Sequence, residues 1–194
     1  MRRTPWHLSL ALAAVIFGGP GMSASQSMQP HKTQGVQFVE ITREAGVDFR
    51  YINGASGNRY MVEAVGSGAA FLDADRDGWI DLYIVNGASL PGYEGPTAPN
   101  AMYHNDGDGT FTDVTAHSGT GDTGFGMAAA TGDADNDGDP DLYIANYGPN
   151  VFYENDGTGR FIDVTATAAV GDSNWGAHAA FADVDRDGDL DLYV

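Results

Sequence analysis

The sequence predicts an all-β protein built from β-propeller blades, each of four antiparallel strands with a calcium-binding loop. Three observations carry this reading. "DADRDGWIDLYI" at Asp73, "DADNDGDPDLYI" at Asp133 and "DVDRDGDLDLYV" at Asp183 share the pattern DxDxDGxxDLY, with starts 60 and then 50 residues apart. The register extends beyond the aspartates: Gly66, Gly126 and Gly176 each stand seven residues before a loop, and "NAMYHNDGDGTFTDVT" from Asn100 matches "NVFYENDGTGRFIDVT" from Asn150. In "DLYIVN" both alternating sets are apolar, Leu82 with Ile84 and Tyr83 with Val85. A strand of that kind is covered on both faces, as it is in radially packed blades.

Taken in order, the chain opens with Arg2 and Arg3, the apolar run "LSLALAAVIF" and the breaker "GGPGMSAS". Residues 1–24 therefore read as a secretory signal peptide, and the run falls well short of the ~20 apolar residues of a membrane span. The expected location is secreted, periplasmic or cell-surface. Residues 25–35 read as a flexible polar leader. Residues 36–65 form an N-terminal segment in which "FVEIT", Phe38 to Thr42, resembles the fourth-strand segments "FTDVT" and "FIDVT" and is expected to be a ring-closing strand.

Blades are expected over 66–125 and 126–175, with a partial blade over 176–194. Within each, a small-residue strand precedes the aspartates, an apolar strand follows them, and two more strands flank an "NDG" turn. No window has the spacing of an amphipathic helix. The ten additional residues of the first repeat lie in the Pro/Gly loop "GASLPGYEGPTAPN". With fewer than the four to eight blades of a closed ring, the chain reads as an incomplete propeller, a piece of a longer one.

Composition narrows the chemistry. A hydrophobic content of 42% supports a core, and a net charge of −18 repels phosphate backbones while attracting divalent cations. Nucleic acid is excluded as a partner on that ground. With no cysteine in the sequence, neither a disulfide nor a thiolate-bound zinc is available to stabilise it.

Calcium takes six to eight oxygens, and carboxylates at positions 1, 3 and 5 of a tight loop converge on one point when a glycine at position 6 permits the turn. In the first loop these are Asp73, Asp75 and Asp77, with the carbonyl of Trp79 at position 7 and Asp81 at position 9. The second offers Asp133, Asp135, Asp137, the carbonyl of Asp139, and Asp141; the third offers Asp183, Asp185, Asp187, the carbonyl of Asp189, and Asp191. Position 12, a glutamate in an EF-hand, is Ile84, Ile144 or Val194, so these are not EF-hands. Aspartate and glycine also suit plain turns, but four like charges within nine residues repel one another and call for a counter-ion. About one Ca2+ per loop is expected, in a structural role; magnesium prefers rigid octahedral sites that keep water.

No catalytic constellation is visible. His104, His117 and His178 stand singly, and HExxH, GxSxG and phosphate-loop patterns are absent. His178 is placed on an inner strand, where it would face a central channel, with packing or solvation as its default role. Asp113 and Asp163, in the recurring "DVT", are expected to support turns rather than act as general acids. Tyr147 and Trp175 are expected to pack.

These residues resemble FG-GAP (VCBS-type) repeats, the blades of integrin α-chain propellers and of many bacterial exported proteins. The stretch "VDFRYINGASGNRYMVEAVGSGAAFLDADRDGWIDLYIVNG", together with Phe38 onward, further resembles the start of the cartilage acidic protein group, whose bacterial members often carry a C-terminal ASPIC/UnbV domain. The resemblance implies a calcium-bearing propeller used for binding or adhesion, with a protein or glycan ligand and no established catalysis. By analogy with integrins it makes the Leu90 to Pro99 insert a candidate contact surface. The alternative function is a fragment of a propeller enzyme whose active site lies in other blades or an appended domain.

Overall fold

Each aspartate loop folds one short strand back on the next, and the sheets grow from those hairpins. Strands β1 (Ala69–Leu72) and β2 (Asp81–Ile84) flank the first loop, and β3 (Ala101–Asn105) and β4 (Phe111–Asp113) complete an antiparallel sheet in the order β1-β2-β3-β4. The second sheet repeats this with β5 (Gly126–Gly132), β6 (Asp141–Asn146), β7 (Val151–Asn155) and β8 (Phe161–Asp163). A third hairpin pairs β9 (Ala180–Ala182) with β10 (Asp191–Tyr193). Register is the same each time: Leu72 faces Asp81, Gly132 faces Asp141, and Ala182 faces Asp191. The computed structural model describes residues 38–194, so the signal-peptide and leader readings lie outside the described residues. Among the described residues the sheets form no closed barrel.

Two features depart from the expectations. One-turn helices, α1 (Thr115–Ser118) and α2 (Thr165–Ala168), come after the fourth strands. Four residues are too few to show helical periodicity, so the pattern could not reveal them. Their local cause is the "DVT" triplet: Asp113 Oδ1 accepts the Thr115 N–H (2.9 Å) and Asp163 Oδ1 accepts that of Thr165 (3.0 Å). The two aspartates thus support turns, as expected. The second departure is "FVEIT", which forms no strand among the described residues. The turn just after this segment does repeat the blade, because Ala45 N–H donates to Ile41 (2.7 Å) and Val47 N–H to Thr42 (3.0 Å), and Gly46 at φ +78° matches Gly119 at φ +79°.

The core lies between blades. Ala70, Leu72, Tyr83, Val85 and Met102 of the first sheet pack with Leu142, Ile144, Tyr153 and Phe161 of the second. Strand β6, flanked by both neighbours, is buried along its whole length, whereas Leu82 and Ile84 on β2 are half-buried. Two-sided burial, read from the apolar alternation, is therefore complete in the middle blade.

Close approach explains two of the three repeated glycines, Gly126 and Gly176, whereas Gly66 faces open space. A side chain at Gly126 would strike Val85 and the Asn86 carbonyl, and the Gly126 N–H donates to that carbonyl at 2.9 Å. Gly176 makes the same bond to Asn146 (2.9 Å). The start of β5 and the segment leading into β9 are thus anchored on the end of the preceding blade's second strand.

A buried polar chain fixes that same end of the second strand. Asn86 N–H donates to Asn100 Oδ1 (2.6 Å), Asn100 Nδ2 donates to the Tyr83 hydroxyl (3.0 Å), and that hydroxyl donates to the Thr120 carbonyl (2.9 Å). The second blade reproduces every link through Asn146, Asn150, Tyr143 and Val170. Tyr83→Phe removes a hydroxyl without changing the ring and leaves two buried partners unsatisfied. It is expected to cost roughly 1–3 kcal/mol, read as a lower midpoint in urea denaturation with an unchanged slope.

Candidate metal centre

The aspartate loops are held open by their own carboxylates. In the first, Gly78 N–H donates to Asp73 Oδ2 (3.1 Å), Asp77 N–H to Asp75 Oδ1 (3.3 Å), Trp79 N–H to Asp77 Oδ1 (2.8 Å) and Ala74 N–H to Asp81 Oδ2 (3.1 Å). The second loop makes the same four bonds from Gly138, Asp137, Asp139 and Ala134 to Asp133, Asp135, Asp137 and Asp141. The third matches it from Gly188, Asp187, Asp189 and Val184, and adds a bond from Arg186 N–H to Asp183 Oδ1 (2.6 Å). The backbone turns left-handed at position 6 in all three, at Gly78 (φ +90°), Gly138 (φ +92°) and Gly188 (φ +101°). This is the conformation that makes glycine necessary there.

At positions 1, 3 and 5 of the first two loops one carboxylate oxygen therefore shapes the loop, and the other is left to face its neighbours. Donor oxygens of Asp73, Asp75 and Asp77 lie within 4.8 Å of one another, as do those of Asp133, Asp135 and Asp137, and those of Asp183, Asp185 and Asp191. Asp73 Oδ1 and Asp133 Oδ1 are buried and have no hydrogen-bond partner. A buried carboxylate oxygen without a partner is costly, and in both loops it belongs to the residue at position 1. A hard cation at the convergence point would satisfy it, so the residues present fit calcium.

Position 9 plays a second role. Asp81 and Asp141 are almost fully buried, and each carboxylate also accepts the N–H at the end of the third strand, Asn105 (2.8 Å) or Asn155 (2.9 Å). They tie the loop to the sheet. Burial raises both carboxyls above the ordinary aspartate range, that of Asp141 to about 6, with Asp135 and Asp137 adding repulsion against the opposing backbone bonds. At position 7 the side chains of Asp139 and Asp189 serve the preceding blade, and Trp79 covers Gly107.

Those contacts involve residues that the pattern did not single out. At position 4, in left-handed backbone, stand Arg76, Asn136 and Arg186. The Arg76 guanidinium reaches into the second loop, pairing with the Asp139 carboxylate and donating to the Asp137 carbonyl (3.2 Å). Asn136 Nδ2 likewise donates to Asp189 Oδ1 in the third (2.7 Å). The turn between β7 and β8 closes on the first loop, with Asn155 Nδ2 and Gly159 N–H both donating to the Ala74 carbonyl (2.9 and 3.0 Å). The only sequence signal was the variable x between the second and third aspartates, which nothing local distinguishes.

The histidines are placed differently from their expected positions. His178 is exposed and precedes β9, so it does not lie on a paired inner strand. His104 and His117 are not isolated, since both line one cavity beside the first loop. Tyr147 and Trp175 pack edge to face with ring centroids 5.4 Å apart, in keeping with a packing role. In the insert, Leu90 is buried with Val62, Phe125 and Met127, so its side chain is core rather than contact surface.

The geometry defines a class: repeated four-stranded blades, each with a carboxylate loop between its first two strands. A model of the FG-GAP-like repeat family matches the chain twice, over residues 73–144 and 133–194, and the protein belongs to that family. Repeats of this family are typically structural and non-catalytic. No curated protein sequence matches the chain. No helix among the described residues is long and apolar enough to cross a membrane.

The raised Asp141 carboxyl gives a signed pH dependence. With a folded pKa of about 6 against an ordinary 3.8, the ion-free fold favours the protonated form. That contribution is full below pH 3.8 and is lost as pH rises through about 6. In chelator, thermal melts of the wild type are expected to lose stability over this window relative to Asp141→Asn. A bound cation, which favours the carboxylate, should abolish the difference in slope.

Proposed function

We propose that this protein is an exported, calcium-stabilised FG-GAP propeller protein, related to the cartilage acidic protein group, that works as an interaction scaffold for a protein or glycan ligand. The observation that carries the metal half of this reading is the buried, unpartnered position-1 oxygen in two separate loops, each among converging carboxylates. An ion there neutralises like charges that otherwise repel and fixes the link between first and second strands. The expected carboxylate and carbonyl positions of each loop, from Asp73 to Asp81, Asp133 to Asp141 and Asp183 to Asp191, would supply oxygen donors.

The scaffold half rests on the family and on the placement of variable loops over a rigid blade framework. Beyond the buried Leu90, the insert keeps exposed residues at Pro91, Gly92 and Glu94, the part open to a partner. Export rests on the N-terminal pattern and on the family's typically extracellular setting.

Calcium binding to the native state alone adds about 2.7 kcal/mol per site at 100-fold excess over Kd. Chelation is therefore expected to lower the melting temperature by several degrees and Ca2+ to restore it, measured by calorimetry. Asp133→Asn with Asp135→Asn should remove part of the calcium-dependent rise while leaving the rest. A melt indifferent to both chelator and calcium would overturn the metal reading.

A further inference from the structure

We propose that the first blade also carries a site for a transition-metal ion of the Zn2+ type, formed by His104, Asp75 and Asp81, which the second blade lacks. His104 Nδ1 lies 3.2 Å from Asp81 Oδ1 and 3.5 Å from Asp75 Oδ2, and one donor atom from each of the three residues falls within 4.8 Å of the others. Zinc binds imidazole and carboxylate at about 2.0–2.2 Å in a tetrahedron, which sets neighbouring ligand atoms roughly 3.3–3.5 Å apart. The two separations from Nδ1 are of that size. Both exceed the about 2.7–2.9 Å of a charge-assisted hydrogen bond, and the shorter sits at the upper limit of an ordinary N–H···O contact. A metal between them accounts for the arrangement better than a proton does.

The groups around the three donors are those that orient metal ligands. Asp81 cannot turn, because its oxygens accept the Asn105 and Ala74 N–H groups at 2.8 and 3.1 Å. The far ring nitrogen, His104 Nε2, faces Asp77 Oδ2 at 3.8 Å, on the side from which a carboxylate usually steadies a metal-bound histidine. The cavity alongside, of about 170 Å³, is walled by Met102, Val114, His117 and the second blade's Thr158 and Gly159. It leaves room for a fourth ligand, water or an incoming group. His117 itself points its Nδ1 toward Arg160 (3.5 Å) and is not one of the three donors.

The repeat supplies its own control. The equivalent cavity of the second blade is lined by Asp135, Asp141, Glu154 and Thr167, with Glu154 where the first blade has His104 and Thr167 where it has His117. Its donors are all oxygen, the chemistry of calcium, whereas imidazole favours zinc, copper and nickel. Asp75 also belongs to the triple with Asp73 and Asp77, and Asp81 is the position-9 oxygen of the same loop, so the two carboxylates would bridge neighbouring ions and the inference rests on the reading of the loops as cation sites.

The full chain, stripped with chelator and then saturated with Ca2+, is titrated with Zn2+ by calorimetry and with Co2+ by visible absorption. One Zn2+ equivalent is expected that survives excess calcium, with a Co2+ band of tetrahedral intensity. His104→Glu and His104→Gln should each weaken Zn2+ by at least about tenfold and abolish the band, while His117→Ala keeps both. The calcium-dependent rise in melting temperature, retained in the His104 variants, shows that they fold. Equal Zn2+ affinity in wild type and both His104 variants would overturn the inference, as would no Zn2+ equivalent in a wild type that still responds to calcium. Loss of the calcium and zinc responses together would overturn the loop reading as well.

Discussion

Four carboxylates confined to nine residues dominate the energetics of this chain. Each gives one oxygen to a backbone N–H of its own loop, and this turns the chain sharply enough for β1 to meet β2 and β5 to meet β6 in identical register. The same bonds fix where the remaining oxygens point. A loop built in this way holds negative charge together at short range, in a medium where the repulsion is stronger than in water. The fold therefore depends on whatever offsets that charge, and hydrogen bonds from the backbone do only part of it. Asp73 Oδ1 and Asp133 Oδ1, buried without partners, mark what is left over.

Because the core lies between blades rather than within one, the loops also have to be aligned with one another. Hydrophobic contact between Tyr83, Val85, Leu142 and Ile144 is non-directional and would tolerate sliding. Directional contacts remove that freedom at two levels. At the inner strands, Gly126 and Gly176 donate to the asparagine ending the previous blade's second strand. At the loops, Arg76 and Asn136 reach forward to Asp139 and Asp189, while Asn155 reaches back to Ala74. A shift in one aspartate loop is thus felt by the next, through the Asp137 carbonyl that Arg76 holds.

Legibility in the sequence obeys the same division. Residues that act on their own backbone recur at fixed spacing, so the loops, the hairpins, the glycines and the "DVT" turns could all be read from the repeat. The position-4 side chains, which act across blades, do not repeat their chemistry. That position holds arginine in the first and third loops and asparagine in the second, and the partners of Arg76 and Asn136 lie dozens of residues away, so no window contains the contact. His104 and His117 are 13 residues apart with no shared motif, and only the fold of β3, β4 and α1 brings them to one cavity. Leu90 looked like part of an exposed Pro/Gly loop because nothing local announces Val62 and Phe125 beneath it. "FVEIT" is the converse case: it has the residues of a fourth strand, but strand formation needs a neighbour to pair with, and the segment has none among the described residues.

Repetition also explains how one blade can differ from another without loss of fold. The positions that shape the loop backbone, 1, 3, 5, 6 and 9, are identical in all three loops, and the loops differ only where a side chain has no such duty. Position 104 in the first blade and 154 in the second are of this free kind: both lie on third strands beside the loop, with backbone pairing to the fourth strand intact at His104↔Thr112 and Glu154↔Ile162. A histidine at one and a glutamate at the other leave the sheet unchanged while altering the donor set that faces Asp75 and Asp81, or Asp135 and Asp141. Chemical individuality of the blades is therefore concentrated at the rim of the carboxylate loops, where a side chain is free of structural duty and still within reach of a charged cavity.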